Sequence, residues 1–371
     1  MRRSTSIGTH DEVCRRLTNS SRSPPVASRH RDPVLFRAYG FPTFTPRMTA
    51  VVARAPTRLD FGGGWTDVPP YSEEEGGFVC NIAIARYATV RLRPSLDGES
   101  AIDTRRATDS ALAEAAVRRS GVSGATIEIA SDFPLGAGLG GSSAAGVAVN
   151  GALATWRGDS IDRAALAEQS RAIEVQDLGV PGGRQDHYAA AFGGALALTF
   201  ADDTRVRRLS VPRECKEALE RRCIVVYTGE SRISGDTITA VLDAYRDRNR
   251  QVLHALARMK ALARAMADEL CANDVDELGE LVWEHWQHQR ALHPSIPTPL
   301  IDSILERARA AGARGGKALG ASGGGCVLII AGDDSVDRVR AAVTALAPNI
   351  MPVAIDEAGL TCMRISDGDR S

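Results

Sequence analysis

A glycine-rich stretch, PLGAGLGGSSAAGVAVNGAL from Pro134 to Leu153, most constrains how this chain can fold. Four glycines fall within six positions and are followed by serines, alanines and an apolar segment. The pattern predicts a tight loop that leads into a helix over residues 142–156. The N-terminus of such a helix presents free N–H groups and the positive end of the helix dipole, which favours a bound phosphate. A plain N-cap serine on a tight turn is the alternative, but it needs fewer glycines.

Two common nucleotide-binding loops do not fit this stretch. Gly136, Gly138 and Gly141 spell GxGxxG, but a dinucleotide site also needs a following strand that ends in an acidic residue. Here residues 157–159 lead into a second predicted helix instead. A Walker A loop needs a lysine directly after its glycines, and the lysines of this chain lie at positions 216, 260 and 317. The sequence therefore argues against an NAD(P)-dependent oxidoreductase and against a P-loop enzyme.

Composition limits the class of protein. The 371 residues are enough for about two domains, and 44% hydrophobic with 25% charged residues is ordinary for a globular protein. No stretch approaches the roughly 20 apolar residues of a membrane span, so a membrane partner is not expected. The seven cysteines are scattered without a CxxC pair, which disfavours a disulfide framework and indicates a cytoplasmic location. Cys326 follows three glycines, and we expect a buried structural thiol there.

Residues 1–48 differ from the rest of the chain. They contain nine arginines and three acidic residues, a net charge of +6, so the remainder carries −7. The negative remainder disfavours nucleic acid as the main partner. The Arg-, Ser- and Pro-rich composition without periodicity predicts a disordered leader, or sequence upstream of a true start at Met48. A transit peptide is the alternative interpretation.

Regular patterns begin at Thr49 and divide near residue 205. Residues 49–205 alternate predicted strands and helices around the glycine loop and form a predicted N-terminal domain. One of these helices is predicted over residues 161–178, with Asp162 in its first turn. Residues 206–371 are mostly helical and contain a second glycine loop, GKALGASGGGCVLII, that leads into a strand. We expect VRAAVTAL and LTCMRI to close a small α/β unit in this C-terminal domain.

Three ordered motifs resemble those of the GHMP kinases, the family of galactokinase and of homoserine, mevalonate and phosphomevalonate kinases. The glycine loop resembles the pattern P-x-x-x-G-L-G-S-S-A, with Gly141 in the place of a serine. APTRLDFGGGWTDVPPY resembles the N-terminal sugar motif, and GGKALGASGGGC resembles the C-terminal glycine motif with Ser322 in the place of a glycine. The resemblance covers residues 50–365. It implies an α+β, two-lobed fold with a ribosomal protein S5 domain 2-like N-terminal lobe and a ferredoxin-like C-terminal lobe.

The resemblance also implies a site for ATP and Mg²⁺. The phosphates of ATP are expected on the glycine loop, at Pro134, Gly136, Ala137, Gly138, Leu139, Gly140, Gly141, Ser142 and Ser143. Ser142 and Glu174 are the expected magnesium ligands, and Glu168 is the fallback for the second one. One hydroxyl and one carboxylate are chemically sufficient, because Mg²⁺ prefers few protein oxygens together with phosphates and water. Without the motif, a glutamate on a helix would simply face solvent.

The same resemblance assigns the reacting groups. Asp186 matches the catalytic aspartate, which accepts or orients the proton of the sugar hydroxyl, and Arg58 matches the arginine beside the transferred phosphate. Asp67 matches the carboxylate that accepts sugar hydroxyls. Taken alone, both aspartates would be ordinary turn or loop caps. The other expected substrate-binding residues are Trp65, Thr66, Arg184, Gly323 and Gly324. The Arg184 guanidinium could meet a substrate phosphate or form a salt bridge with Asp186.

The surroundings of these motifs narrow the substrate. GGGWTDVPPY resembles the branch that holds L-fucose kinase and the bacterial D-glycero-D-manno-heptose 7-phosphate kinases, and GGRQDHYAAAFGGALALTF resembles the heptose kinases more closely. The resemblance implies phosphorylation of the anomeric hydroxyl, with heptose 7-phosphate as the expected substrate and L-fucose or another neutral sugar as the alternative. The expected partners are therefore small molecules, with a homodimer as a further possibility. Elsewhere, WEHWQHQRALHP places His285 and His288 on a helix, where we expect packing because a metal site would need a third ligand.

Overall fold

The computed structural model describes residues 49–95, 98–230 and 235–366. The predicted leader, residues 1–48, lies outside the described residues. Within the described ranges, no helix is both long enough and apolar enough to cross a membrane.

Two β-sheets and their helices organise the described residues. The strands are β1 (Thr49–Gly62), β2 (Gly77–Pro94), β3 (Ala101–Thr104), β4 (Ala125–Ser131), β5 (Ala195–Phe200), β6 (Thr204–Arg208), β7 (Cys223–Tyr227), β8 (Ala313–Ala318), β9 (Cys326–Ala331), β10 (Ile350–Met351) and β11 (Thr361–Ser366). The helices are α1 (Ala107–Ser120), α2 (Gly141–Arg157), α3 (Arg163–Ala172), α4 (Gln185–Phe192), α5 (Arg213–Arg222), α6 (Gly235–Arg246), α7 (Arg250–Ala272), α8 (Val275–Arg290), α9 (Pro299–Ala310) and α10 (Val336–Thr344).

The first sheet has the strand order β11-β1-β2-β4-β3, and β5 pairs with the first half of β2 and with β6. β1 and β2 are long antiparallel partners whose apolar side chains fill the core. Arg58 and Asp60 lie two positions apart on β1, so both side chains are on the same face of the sheet. This face of β1 carries two of the charged residues of the site described below.

The second sheet has the order β10-β7-β9-β8, with every neighbouring pair antiparallel. Along the chain these strands follow a βαββαβ course, because helices separate β7 from β8 and α10 separates β9 from β10. This order and course define a ferredoxin-like sheet, as the resemblance implied.

Helix α2 is deeply buried because its residues are small. A Cβ atom added to Gly146 would lie 2.3 Å from Ser170 Oγ, and one added to Gly151 would lie 2.8 Å from Leu360. The predicted helix over residues 142–156 is confirmed, with one further residue at each end. The helix predicted over residues 161–178 consists of α3 followed by a π-helical turn, Ile173–Asp177. Asp162 caps α3 by accepting the backbone N–H groups of Ala164 and Ala165.

The last described strand is not in the sheet where we expected it. LTCMRI does not close the C-terminal α/β unit: β11 pairs antiparallel with β1, from Thr49↔Ser366 to Arg54↔Thr361. Leu360 and Cys362 pack against Gly151 of α2, which buries the apolar side of this segment. An alternating apolar pattern predicts that a segment is a strand, but it does not predict which strand it pairs with. The domain boundary near residue 205 stays a prediction.

Candidate active site

The glycine loop before α2 has the backbone that its sequence predicts. Gly136, Gly138 and Gly140 have φ angles of +65°, +71° and +75°, which side chains rarely adopt. A Cβ atom at Gly138 would lie 2.5 Å from the carbonyl oxygen of Leu319, and one at Gly140 would lie 2.9 Å from Cγ of Asp186. The loop therefore needs glycine both for its conformation and for the close approach of its neighbours. Helix α2 begins at Gly141 without a side-chain cap, so its first N–H groups are available to an anion.

The second glycine loop, residues 319–326, packs against the first. The backbone N–H of Cys326 donates to the Ala137 carbonyl over 2.8 Å, and Gly325 lies directly on the Gly136 and Ala137 carbonyls. Cys326 is buried, as expected, and burial raises the pKa of its thiol to about 12. The two loops thus form one continuous main-chain surface at the start of α2.

Ser322 occupies the position where the family pattern has a glycine. Its φ of +74° is the left-handed conformation that a glycine would adopt easily. The Gln289 side chain donates to Ser322 Oγ over 3.0 Å, which helps hold the residue in that conformation. Gly323 and Gly324, expected to contact substrate, follow directly, and the Gly323 N–H donates to the Ile296 carbonyl. Substrate contact at these two glycines stays a prediction.

Arg58 and Asp186 form a partly buried ion pair at the glycine loop. The Arg58 Nε donates to Asp186 Oδ1 over 2.7 Å, and Nη2 lies 2.6 Å from the same oxygen. The Arg58 Nη1 donates to the Gly138 carbonyl over 2.6 Å, and its backbone N–H donates to the Leu139 carbonyl. One guanidinium therefore joins β1, the backbone of the glycine loop and the first turn of α4. The two expected catalytic residues are in direct contact.

Asp67 lies in the turn after β1 and is only 2% exposed. Its Oδ2 accepts the backbone N–H groups of Arg184 and Gln185 over 2.8 and 3.0 Å. Desolvation by burial, together with the nearby charges of Asp186 and Asp60, outweighs these hydrogen bonds and raises the pKa of Asp67 to about 6. The bonds also place the Asp67 carboxylate next to the residue that precedes Asp186.

Of the other residues expected to bind substrate near Asp67, Thr66 and Arg184 hydrogen-bond backbone atoms in this structure. The Thr66 hydroxyl contacts the carbonyls of Gly63 and Phe78 and accepts the Phe78 N–H. Trp65 is buried with φ +79°, and in the part of the chain that the structure describes its indole nitrogen has no hydrogen-bond partner. The Arg184 guanidinium donates to the Ala201 carbonyl and to Thr204 Oγ1, at 3.3 and 3.4 Å, rather than to Asp186. Their contact with substrate stays a prediction.

The expected magnesium ligands lie together at the start of α2. Ser143 Oγ donates to Glu174 Oε2 over 3.2 Å, and Ser142 also hydrogen-bonds Glu174. Burial by itself would raise the pKa of Glu174, but the His187 imidazole, 2.8 Å from Oε2, and the two hydroxyls together lower it. The fallback residue, Glu168, instead accepts hydrogen bonds from Tyr188 and Thr204. A carboxylate and a hydroxyl beside the uncapped N-terminus of α2 fit a magnesium ion that completes its shell with phosphates and water.

Two of the charged residues at this site were not singled out from the sequence. Lys317 on β8 is fully buried, and its Nζ donates to Asp60 Oδ2 over 2.9 Å. In the sequence, Lys317 is only the K of GGKALG and Asp60 only the D of APTRLDF. Both letters lie inside the motifs, but they are 257 positions apart. His187, beside Glu174, was not singled out either, and its sequence signal is limited to the H of GGRQDHY.

The tryptophan- and histidine-rich helix segment is packed, as expected. His285 is buried, its Nε2 accepts the Gly63 N–H over 2.9 Å, and desolvation holds its pKa well below the ordinary value. Across the described residues, no group of three or more histidine, cysteine, aspartate or glutamate side chains could hold a metal ion. Because its Nε2 accepts the Gly63 N–H, His285 supports the turn that carries Asp67.

A cavity lies along β2, β3 and β4, at the start of α1. Its volume is about 530 Å³, and its lining includes Thr89, Arg91, Thr104, Arg106, Ala130 and Ser131. The Arg106 guanidinium stacks over the Phe133 ring, and that ring lies against Gly141 at the first turn of α2. The cavity is therefore connected to the loop through Phe133.

Comparisons with known proteins identify the family to which this chain belongs. The model of the GHMP kinase N-terminal domain matches residues 107–194, and that of the GHMP kinase C-terminal domain matches residues 266–349. The galactokinase of Mycobacterium tuberculosis is 30% identical over 348 residues, which cover 78% of this chain and 93% of that protein. The chain belongs to the GHMP kinase family, whose members use ATP as phosphate donor.

Two further relatives act on different sugars. The D-glycero-alpha-D-manno-heptose 7-phosphate kinase of Campylobacter jejuni is 28% identical over 302 residues, 75% of this chain and 88% of that protein. The bifunctional fucokinase/GDP-fucose pyrophosphorylase of Arabidopsis thaliana is 27% identical over 325 residues, 78% of this chain. The chain spans only 30% of the length of that bifunctional relative. Among solved structures, a D-glycero-D-manno-heptose 1-phosphate kinase from Bacteroides thetaiotaomicron superposes with a TM-score of 0.69 at 24% identity, covering 85% of this chain and all of that one, which shows the shared fold.

Proposed function

We propose that this protein is an ATP-dependent sugar kinase that phosphorylates the anomeric hydroxyl of D-glycero-D-manno-heptose 7-phosphate. The observation that carries the proposal is the Arg58–Asp186 pair, which lies against the glycine loop and one residue from the Gln185 N–H that binds Asp67. A phosphate-binding backbone, a carboxylate and a guanidinium in contact are the groups that phosphoryl transfer to an alcohol requires.

The chemistry follows from the roles of these groups. The loop amides and the N-terminus of α2 bind the phosphates of ATP, and Arg58 offsets the negative charge that develops during transfer. Asp186 accepts or orients the proton of the anomeric hydroxyl as that oxygen forms its bond to the γ-phosphorus. The bond between the γ-phosphorus and the bridging oxygen breaks, and ADP leaves. The sugar becomes a sugar 1-phosphate.

Ser142 and Glu174 are the residues that would hold Mg²⁺. The metal would supply charge neutralisation for the phosphates. The lowered pKa of Glu174 keeps this carboxylate ionised at neutral pH, as a ligand must be. The cavity lined by Arg106 is the proposed place for the base and ribose of ATP, since Arg106 stacks over Phe133, whose ring lies against Gly141 at the start of α2.

One observation favours the alternative, a neutral sugar such as L-fucose. Arg184 is only 8% exposed, and its guanidinium is already bonded to Ala201 and Thr204. A heptose 7-phosphate would need a free cation for its phosphate group, whereas a neutral sugar would not. The NAD(P)-dependent oxidoreductase considered from the glycine pattern receives no support, because α2 is followed by α3 rather than by a strand.

The test is an ADP-release assay of the full chain with ATP and Mg²⁺. Heptose 7-phosphate, L-fucose, galactose and an N-acetylhexosamine are each offered as acceptor, and product NMR locates the new phosphate. We expect ADP release with heptose 7-phosphate and a phosphate on C1. Release with L-fucose alone would select the neutral-sugar alternative, and release with none of the four would contradict the proposal. The Asp186→Asn variant, purified in parallel, controls for contaminating kinases.

A further inference from the structure

The buried pair Lys317–Asp60 lies beneath the proposed sugar site and has no role in the mechanism above. Lys317 belongs to β8 of the second sheet, and Asp60 belongs to β1 of the first sheet. Lys317 is 0% exposed and Asp60 is 2% exposed, and the Lys317 Nζ donates to Asp60 Oδ2 over 2.9 Å. A buried ion pair is weak evidence for stability, because desolvating both charges costs about as much as their attraction returns. The position of the Lys317–Asp60 pair beneath the proposed sugar site therefore points to a role other than stability.

The Asp60 carboxylate touches the turn that carries Asp67. A Cβ atom at Gly64 would lie 2.5 Å from Asp60 Oδ2 and 2.9 Å from Gln185 Nε2. Gln185 in turn donates its backbone N–H to Asp67 and precedes the catalytic residue Asp186. The second oxygen, Asp60 Oδ1, is buried without a hydrogen-bond partner among the described residues, and within them Lys317 is the cation that compensates this carboxylate.

The charges around Asp67 come from several elements. Asp60 on β1 and Asp186 on α4 face it with negative charge. Arg58 is committed to Asp186, and the Arg184 guanidinium is turned to Ala201 and Thr204. From α8, His285 is neutral because burial lowers its pKa.

Helix α7 also packs against this turn. Its Lys260 donates to the carbonyls of Glu75 and Gly76, and its Arg264 stacks over the Phe78 ring. Neither cation is therefore directed at Asp60, and Lys317 is the cation bonded to it.

We propose that Lys317 is a positioning residue for the kinase reaction: through Asp60 it holds the turn of residues 62–67 and offsets the negative charge that faces Asp67. The inference rests on the sugar-binding role proposed for Asp67. Lys317 does not touch the substrate in this account. It holds Asp60 in place, and the Asp60 carboxylate lies against the turn at Gly64.

The test compares two opposite charge changes. The value of kcat/KM for the sugar is measured as a function of pH in the wild type, Lys317→Met, Asp60→Asn and the double variant. The acid limb is the part of this profile in which kcat/KM falls as the pH drops. Removing the lysine leaves Asp60 uncompensated, so we expect the limb to move to higher pH by about one unit. Removing the Asp60 charge should move the limb to lower pH, and the double variant should lie between the two.

Opposite shifts distinguish positioning by charge from a purely structural role. Loss of packing would lower the melting temperature of both variants but would not move the two pH limbs in opposite directions. Lys216→Met, which removes a half-exposed lysine paired with Glu357, is the matched control. If Lys317→Met does not fold, the Asp60→Asn shift still decides the matter: an unchanged limb, or one moved to higher pH, would overturn the inference.

The proposed role of Asp67 is checked separately. An Asp67→Asn variant should lose the acid limb and bind the sugar poorly. If the limb persists in that variant, the sugar-binding role of Asp67 fails. If the limb is lost there yet does not move to higher pH in folded Lys317→Met, only the inference about Lys317 fails.

Discussion

Arg58 and Asp186 are 128 positions apart in the chain, yet the Arg58 Nε donates to Asp186 Oδ1 over 2.7 Å. The same guanidinium donates to the Gly138 carbonyl, so the carboxylate proposed as catalytic and the glycine loop share one anchor. Arg58 itself is 3% exposed. A buried guanidinium with fixed partners keeps its direction when substrates arrive, which is the preorganisation that electrostatic catalysis requires.

Asp186→Asn should lower the turnover number by roughly two orders of magnitude or more, because the amide cannot accept the hydroxyl proton. ATP should still bind, since the loop amides and α2 are unchanged. Turnover is measured by ADP release and ATP affinity by calorimetry. Asp243→Asn, at an exposed ion pair with Arg246, is the control and should behave as wild type. Near-normal turnover in the Asp186 variant would remove the assignment of the catalytic carboxylate.

Gly140→Ala should reduce activity at least tenfold and destabilise the fold. The new methyl group would lie 2.9–3.0 Å from atoms of Asp186, and φ at this position is +75°. The backbone strain alone costs about 1–2 kcal/mol, and the clash displaces the catalytic side chain in addition. Activity and thermal unfolding are measured together.

Gly121→Ala provides the matched control for the glycine loop. Gly121 ends α1 with φ +68°, and nothing lies within 4 Å of a Cβ added there. This variant should show the loss of stability from strain while keeping full activity. Equal losses of activity in the two variants would contradict a specific role for Gly140.

The sequence predicts the local features of the site better than its long-range contacts. The glycine loop and α2 follow from backbone requirements that a short stretch of residues states by itself. The pairing of Lys317 with Asp60 and of β11 with β1 depends on contacts between distant segments, for which composition and periodicity carry no signal. Arg184 illustrates the limit: its position in the sequence left two partners open, the structure shows bonds to Ala201 and Thr204 rather than to Asp186, and contact with a substrate phosphate stays a prediction.

Ser142→Ala should raise the Mg²⁺ concentration needed for half-maximal activity by roughly tenfold, the scale for losing a metal-site contact. Mg²⁺ is titrated at fixed ATP with ADP release as the readout. Ser110→Ala, which removes an exposed hydroxyl bonded to Glu114 on α1, is the control. An unchanged titration in Ser142→Ala together with a raised requirement in Ser143→Ala would transfer the ligand role to Ser143.

Asp67 links activity to pH through its raised pKa. At pH values well above 6 the carboxylate is ionised and can accept sugar hydroxyls, and below its folded pKa of about 6 it is protonated. We therefore expect kcat/KM for the sugar to fall as pH drops through about 6. A pH profile without an acid limb in this range would contradict the assignment, provided that ATP is kept saturating.

The same pKa has an opposite consequence for stability. Folding raises the Asp67 pKa from 3.8 to about 6, so between these pH values the folded protein holds a proton that the unfolded chain has released. The folded state therefore loses stability as pH rises through this window, by at most about 3 kcal/mol. Asp67→Asn cannot ionise, and its carbonyl can accept the same backbone N–H groups of Arg184 and Gln185. This variant should melt at a higher temperature than the wild type at pH 7.5 and at a similar temperature at pH 4, while its sugar KM rises. A lower melting temperature at pH 7.5 would mean that the ionised carboxylate stabilises the turn it occupies.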